Sequence, residues 1–79
     1  MEPVEVIARI DAQGRQTPLS FTWRGQSISV ASSGRRWQDE RGEHILVMIP
    51  FEQVCELVFN QAESRWYVRF FSPNNSQLA

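Results

Sequence analysis

The chain has 79 residues, room for one domain and not two. Eight basic residues, all Arg, stand against nine acidic ones, and the net charge of −1 excludes a strong general pull toward nucleic acid or anionic membrane. One Cys excludes an intrachain disulfide, and one His beside it is too few for a zinc site, so no metal and no cofactor is expected.

Period-two alternation dominates and marks half-buried strands. In the first segment Val4, Val6, Ala8 and Ile10 share one face, while Glu5, Ile7, Arg9 and Asp11 share the other. Ala12-Gln13-Gly14-Arg15 reads as a turn. Leu19, Phe21 and Trp23 then alternate with Ser20, Thr22 and Arg24, and Ile28 and Val30 alternate with Ser27 and Ser29. Arg24-Gly25-Gln26 between these runs is a tight hairpin. Trp37 stands alone in the polar stretch from Gly34 to Glu43, which reads as a short strand or as a loop anchored by one indole.

Ile45, Val47, Ile49 and Phe51 form the next apolar face. Leu46 and Met48 occupy its reverse, so this strand is central, with Pro50 at its end because proline cannot donate to a ladder. Cys55, Leu57 and Phe59 alternate with Val54, Glu56 and Val58. Helical spacing of Val54, Leu57 and Val58 allows a short helix over Phe51 to Phe59, but β-branched and aromatic content favours a strand. After a polar turn at Asn60–Ser64, Trp66, Val68 and Phe70 alternate with Arg65, Tyr67, Arg69 and Phe71. Residues 1–72 thus read as one β domain and 73–79 as a flexible tail. A sheet of about five to six short antiparallel strands avoids open edges by curling, so the expected fold is all-β, a small SH3-like or related barrel. A flat meander that dimerises through its apolar face is the alternative. Trp23, Trp37, Trp66 and their Phe neighbours are expected to carry the stability.

No catalytic constellation emerges, and the chain is not expected to be an enzyme. Cys–His catalysis would need Cys55 beside His44. The alternation instead places Cys55 with Leu57 and Phe59 as a buried thiol, and His44 beside Glu43 as an exposed strand opening. Asp39, Glu40 and Glu43 could form an acid–base pair, but Arg35, Arg36 and Arg41 around them describe a solvated loop. Met1-Glu2-Pro3 is acidic and lacks the apolar core of a signal peptide, and a lone Cys fits a reducing compartment, so a cytoplasmic location is expected.

Two surfaces are candidates for binding. Arg24, Arg35 and Arg36 around Trp37, and Arg65, Tyr67 and Arg69 on the last strand, interleave basic and aromatic groups as single-strand nucleic-acid surfaces do. The competing reading has these arginines pairing with carboxylates across strands and Tyr67 and Phe71 covering a second small core. Leu46, Met48, Tyr67 and Phe71 are apolar residues left over once the core is filled, a candidate patch for a protein partner or a homodimer. Gln77-Leu78 in the tail carries only a fragment of the motif by which peptides dock on sliding clamps.

Trp23-Arg24-Gly25, then Ile28 and Val30, Trp37, Glu56-Leu57 and Arg65-Trp66-Tyr67 together resemble a small bacterial β-domain family, over about residues 2 to 72. Members stand alone or beside proteins related to Y-family translesion DNA polymerases and their mutagenic-repair partners. The sequence departs from the family pattern at Ile28 and Val58, where aromatics are expected, and at Asn60, where Asp is expected. The resemblance implies an association and not an activity; together with the Arg–aromatic interleaving it leads to the expectation of a binding module accessory to DNA-repair or polymerase assemblies, whose partner is nucleic acid or a repair protein. The alternative is a protein-interaction or homodimerisation module with no nucleic-acid role. Within the motif, Arg24 and Glu56 are expected to pair across strands, and Gly25 to permit the hairpin.

Overall fold

The computed structural model describes residues 1–71. The tail expected at 73–79, with its Gln77-Leu78 pair, lies outside the described residues. Seven strands follow one another: β1 (Glu2–Ile10), β2 (Gln16–Trp23), β3 (Gln26–Ser29), β4 (Ser32–Asp39), β5 (Gly42–Ile49), β6 (Gln53–Asn60) and β7 (Arg65–Phe70). They form one sheet in the order β3-β2-β1-β7-β6-β5-β4, with each neighbouring pair antiparallel. The fold is therefore all-β, and Phe51 to Phe59 contributes a strand and not a helix. One strand more is present than expected. The polar stretch around Trp37 belongs to the eight-residue β4, whose ladder to β5 runs from Ser32 opposite Met48 to Asp39 opposite Gly42.

The strand order requires the sheet to curl. β3 and β4 stand at opposite ends of it, yet only Val30 and Ala31 separate them. Val30 donates its N–H to the Leu19 carbonyl of β2 at 2.9 Å, and the next residue, Ala31, donates to Met48 of β5 at 2.7 Å. Two consecutive residues bond to the second and the sixth strands of the order, which a flat meander cannot allow. Arg36 ties the same seam from β4, donating through Nη2 to the Gln16 carbonyl of β2 at 2.6 Å and through Nη1 to Glu43 at 2.8 Å.

β1 turns the other corner. Its first residues pair with β7 and the rest with β2, and the β1–β2 register shifts between Ile7 and Ala8, leaving Leu19 unopposed. This bulge resets the alternation of β2. Pro18 and Phe21 are buried, whereas Leu19, expected beside Phe21 and Trp23, is 45% exposed. Ile10, expected in the same face as Val4, ends its strand beyond the cover of the core and is also exposed.

The core lies on the concave face. Val4, Phe21, Ile45, Val47, Ile49, Cys55, Leu57, Trp66 and Val68 are buried there, with Trp23, Ile28, Val30, Phe59 and Phe70 packed against them. Its aromatic contacts cross the curl: Trp23 and Phe21 of β2 meet Phe70 of β7 at ring-centroid distances of 4.7 and 6.4 Å. Trp23 also donates its indole N–H to Glu2 at 2.9 Å, which holds that carboxyl below its ordinary pKa. Trp37 is absent from this core and lies on the opposite, convex face.

Two hairpins show why particular residues sit where they do. β2 and β3 are joined by Arg24 and Gly25 alone, at φ 51° and 80°, with Trp23 opposite Gln26. Two positive φ values make the primed turn that suits strand twist. At the start of β5, Gly42 has φ 138°, and a Cβ there would stand 2.0 Å from the Phe59 carbonyl oxygen. The close approach of β5 to β6 at this point requires glycine.

Candidate functional site

The convex face of β4–β7 carries a polar cluster that the sequence conceals. His44 lies between inward-facing strand positions and projects outward, yet it is 3% exposed. The expectation of an ordinary exposed histidine is therefore corrected. Trp37, its register partner on β4, stacks on the imidazole at 5.0 Å with planes 10° apart, and covers it. His44 Nδ1 bonds to Glu56 of β6, and Nε2 bonds to Asp39 at 2.8 Å. Both nitrogens thus face acceptors, and the imidazolium form satisfies both by donating. Burial opposes the charge, but hydrogen bonds and charges from Glu56 and Asp39 outweigh it and raise the His44 pKa above its ordinary value. Asp39 is held low, first by its bond from His44 and then by the Arg41 backbone N–H.

Glu56, 2% exposed, also accepts from Arg69 of β7 at 2.9 Å, its direct cross-strand neighbour. The pairing of Glu56 with Arg24 is not made, because the fold sends Arg24 to the far hairpin, where it meets Glu2 at 3.5 Å. Asp39 and Glu56 flank the imidazole from opposite ring nitrogens and cannot converge on a common point. Among the described residues, no group of three His, Cys, Asp or Glu side chains is placed to hold a metal ion. Cys55 is fully buried on the other face of β6, and burial pushes its thiol up to about 11. Cys55 and His44 therefore point away from each other, and Glu40 and Glu43 take no part in the His44 cluster.

The arginine candidates divide. Arg36 is turned inward, with its side chain 14% exposed, and its guanidinium is taken up by Glu43 and the Gln16 carbonyl, so it is removed as a surface contact. Arg24 and Arg65 line one polar groove with Pro3, Glu5 and Thr22, far along the sheet from β4. Arg35 lies over Trp37 at 5.3 Å, and Arg69 lies over Phe71 at 5.2 Å while holding Glu56. Tyr67 donates its hydroxyl to Glu63 and sits opposite the buried Val58. The two expected basic, aromatic segments are thus each divided, Arg24 from Arg35 and Arg36 and Arg65 from Arg69, and Arg24, Arg36 and Arg69 each have a carboxylate partner.

The apolar candidates come closer together. β6 lies between β5 and β7, and on its convex face Met48 stands opposite Val54. Continuing the β6–β7 register by one residue puts Phe71 opposite Val54. Met48 is 39% exposed, Val54 41% and Phe71 44%. Leu46 is half-buried in the next row beside Glu56, and Tyr67 lies one row further on, outside this patch.

The β5–β6 turn adds what the sequence reading missed. Phe51 was expected on the core face after Ile49, but Pro50 ends the ladder, and Phe51 falls in the turn, 93% exposed. Phe51 and Glu52 both have left-handed backbones, at φ 69° and 59°. Beside them runs a groove of about 530 Å³ lined by Phe51, Glu52, Gln53, Val54, Phe70 and Phe71. The signal was Pro50 followed by a turn with neither Gly nor Asn.

Among the described residues no helix is long and apolar enough to cross a membrane. Compared with family models, curated proteins and solved structures, the chain matches none.

Proposed function

We propose that this chain is a non-catalytic protein-binding module that docks through the tip of the β5–β6 hairpin and the adjoining row Met48, Val54 and Phe71. One observation carries the reading: Phe51 is 93% exposed on a left-handed backbone. A bulky residue at positive φ is an outlier, strained by roughly 1–2 kcal/mol, and such strain clusters at binding sites. Neither burial nor backbone preference accounts for a phenylalanine there, and a partner's pocket does.

The test is site-specific photo-crosslinking in cells, with a photoreactive phenylalanine at position 51 and a control at the exposed turn residue Gln13. Adducts of defined mass at position 51 and none at Gln13 are the expected result. Equal labelling at both positions, or none at 51, overturns the reading.

A second reading is favoured by Arg35, whose guanidinium stacks on Trp37. Such a pair suits stacking on unpaired bases, and the resemblance to a family found beside translesion polymerases supports it. Amide NMR titration with a short single-stranded DNA at low salt, where electrostatic contacts are strongest, decides it. Saturable, salt-sensitive shifts at Arg35 and Trp37 would support nucleic-acid binding. A spectrum that does not move rejects it.

A further inference from the structure

We infer that the partner of the β5–β6 tip is a second copy of this chain, in a two-fold dimer where Phe51 of each copy enters the groove of the other. The inference rests on the docking reading above and names its occupant. A two-fold interface must be self-complementary, each patch carrying both the feature that inserts and the feature that receives. This surface carries both. The Phe51 ring stands almost fully clear of its own chain, and the groove beside it is walled by Val54, Phe70 and Phe71. At about 530 Å³ the groove exceeds the roughly 150 Å³ that encloses a benzene-sized ring.

Charge follows the same rule. Glu52 adjoins the inserting ring and the groove, and Arg69, which gives one N–H to Glu56, lies over Phe71 with its side chain still 55% exposed. Rotation by a two-fold that seats Phe51 against Phe71 carries Glu52 of one copy toward Arg69 of the other. The area is that of a weak, transient interface. Phe51, Phe71, Met48 and Val54 make a patch of the roughly 300–600 Å² found for the largest apolar patch on a monomer. Counted on both copies, such a patch approaches the roughly 1,000 Å² of a specific interface.

The experiment is analytical ultracentrifugation of the full chain from about 1 μM to about 1 mM, a range that covers dissociation constants of weak and moderate dimers. The parent chain is expected to pass from monomer to dimer. Phe51→Gly, which suits the positive φ, is expected to raise the dissociation constant about 100-fold or more, as loss of a central aromatic anchor does. Glu52→Arg places two cations face to face and is expected to weaken the dimer about tenfold. In a mixture of labelled and unlabelled chains, isotope-filtered NOEs should join the Phe51 ring of one copy to Val54 methyls of the other. A parent chain monomeric throughout overturns the dimer, as does a dimer indifferent to Phe51→Gly. With the dimer overturned, adducts at position 51 to a different protein leave the docking reading standing. Absence of any adduct removes both.

Discussion

His44 is the residue on which the convex face depends. It is buried and held by two carboxylates, and its folded pKa lies above the ordinary value of 6.5. Its contribution to stability is therefore full below about pH 6.5 and lost as pH rises through the raised value. Asp39 works in the opposite sense. Its pKa is lowered from 3.8, so its contribution is full above that value and lost as pH falls through the depressed one. Urea midpoints measured across pH are expected to peak between about 4 and 6.5 and to decline on the alkaline side. His44→Gln should flatten that alkaline limb, and a parent chain equally stable on both sides of neutrality would mean that folding does not raise the His44 pKa. Glu56→Gln removes the charge shared by His44 and Arg69 and should cost about 3–5 kcal/mol, the range for breaking a buried pair. Cys55, buried and with its thiol pushed up to about 11, should react with thiol reagents only as fast as the chain opens. The buried thiol was legible from alternation alone. The His44 cluster was not, because alternation assigns a side chain to a face but does not say what covers that face. Here the cover is Trp37, from a strand with no apolar alternation of its own.

At the level of elements, β4 is held by ladder and by side chains where its sequence offers no apolar face. Arg36 is the tie, linking β4 to β2 through Gln16 and to β5 through Glu43. Arg36→Met should cost about 2–4 kcal/mol, since it leaves a partly buried carboxylate and a carbonyl without their donor. Amide exchange should quicken first in β4. Protection in β4 equal to that of β6 would remove Arg36 from this role. The β4–β5 hairpin rests on Gly42, where a Cβ would collide with the Phe59 carbonyl of β6. Gly42→Ala should therefore destabilise the chain severely, by about 3 kcal/mol or more, because two backbones must separate. The strands β1, β2, β3, β5, β6 and β7 were legible because apolar and polar residues alternate along them, and Gly25 and Pro50 mark two of their ends. β4 was half-legible, as one indole in a polar stretch. Nothing in the sequence singles out Gly42, since only the register of β5 on β6 shows what its Cβ would meet.

For the whole molecule, the curl of the sheet decides which surfaces remain. Closing β3–β4 across from β2 to β5 consumes the concave face as core, while Trp37 covers His44 on the convex face and leaves its Met48, Val54 and Phe71 row open. Arg24, expected beside Arg35 and Arg36, is set apart from them by that curl, and Arg24, Arg36 and Arg69 are paired with local acids. Met48 of β5 and Phe71 at the end of β7 have only β6 between them, in the chain and in the sheet alike, and they meet across Val54. Alternation already put Met48 and Phe71 among the apolar leftovers of one candidate patch, but not Val54 between them or Tyr67 outside it, because alternation carries no information about register. Phe51 was misplaced for a simpler reason: its apolar character continues the β5 pattern, and only the missing donor of Pro50 ends it. The central claim is that Phe51 is present for a partner and not for the fold. Thermal unfolding of Phe51→Gly under dilute, monomeric conditions tests it most directly. Relief of the left-handed strain and the added freedom of glycine in the unfolded chain nearly offset, so stability within about 1 kcal/mol of the parent is expected. A loss of about 3 kcal/mol or more, the cost of removing a packed phenylalanine, would contradict it and make the tip of the hairpin a part of the core.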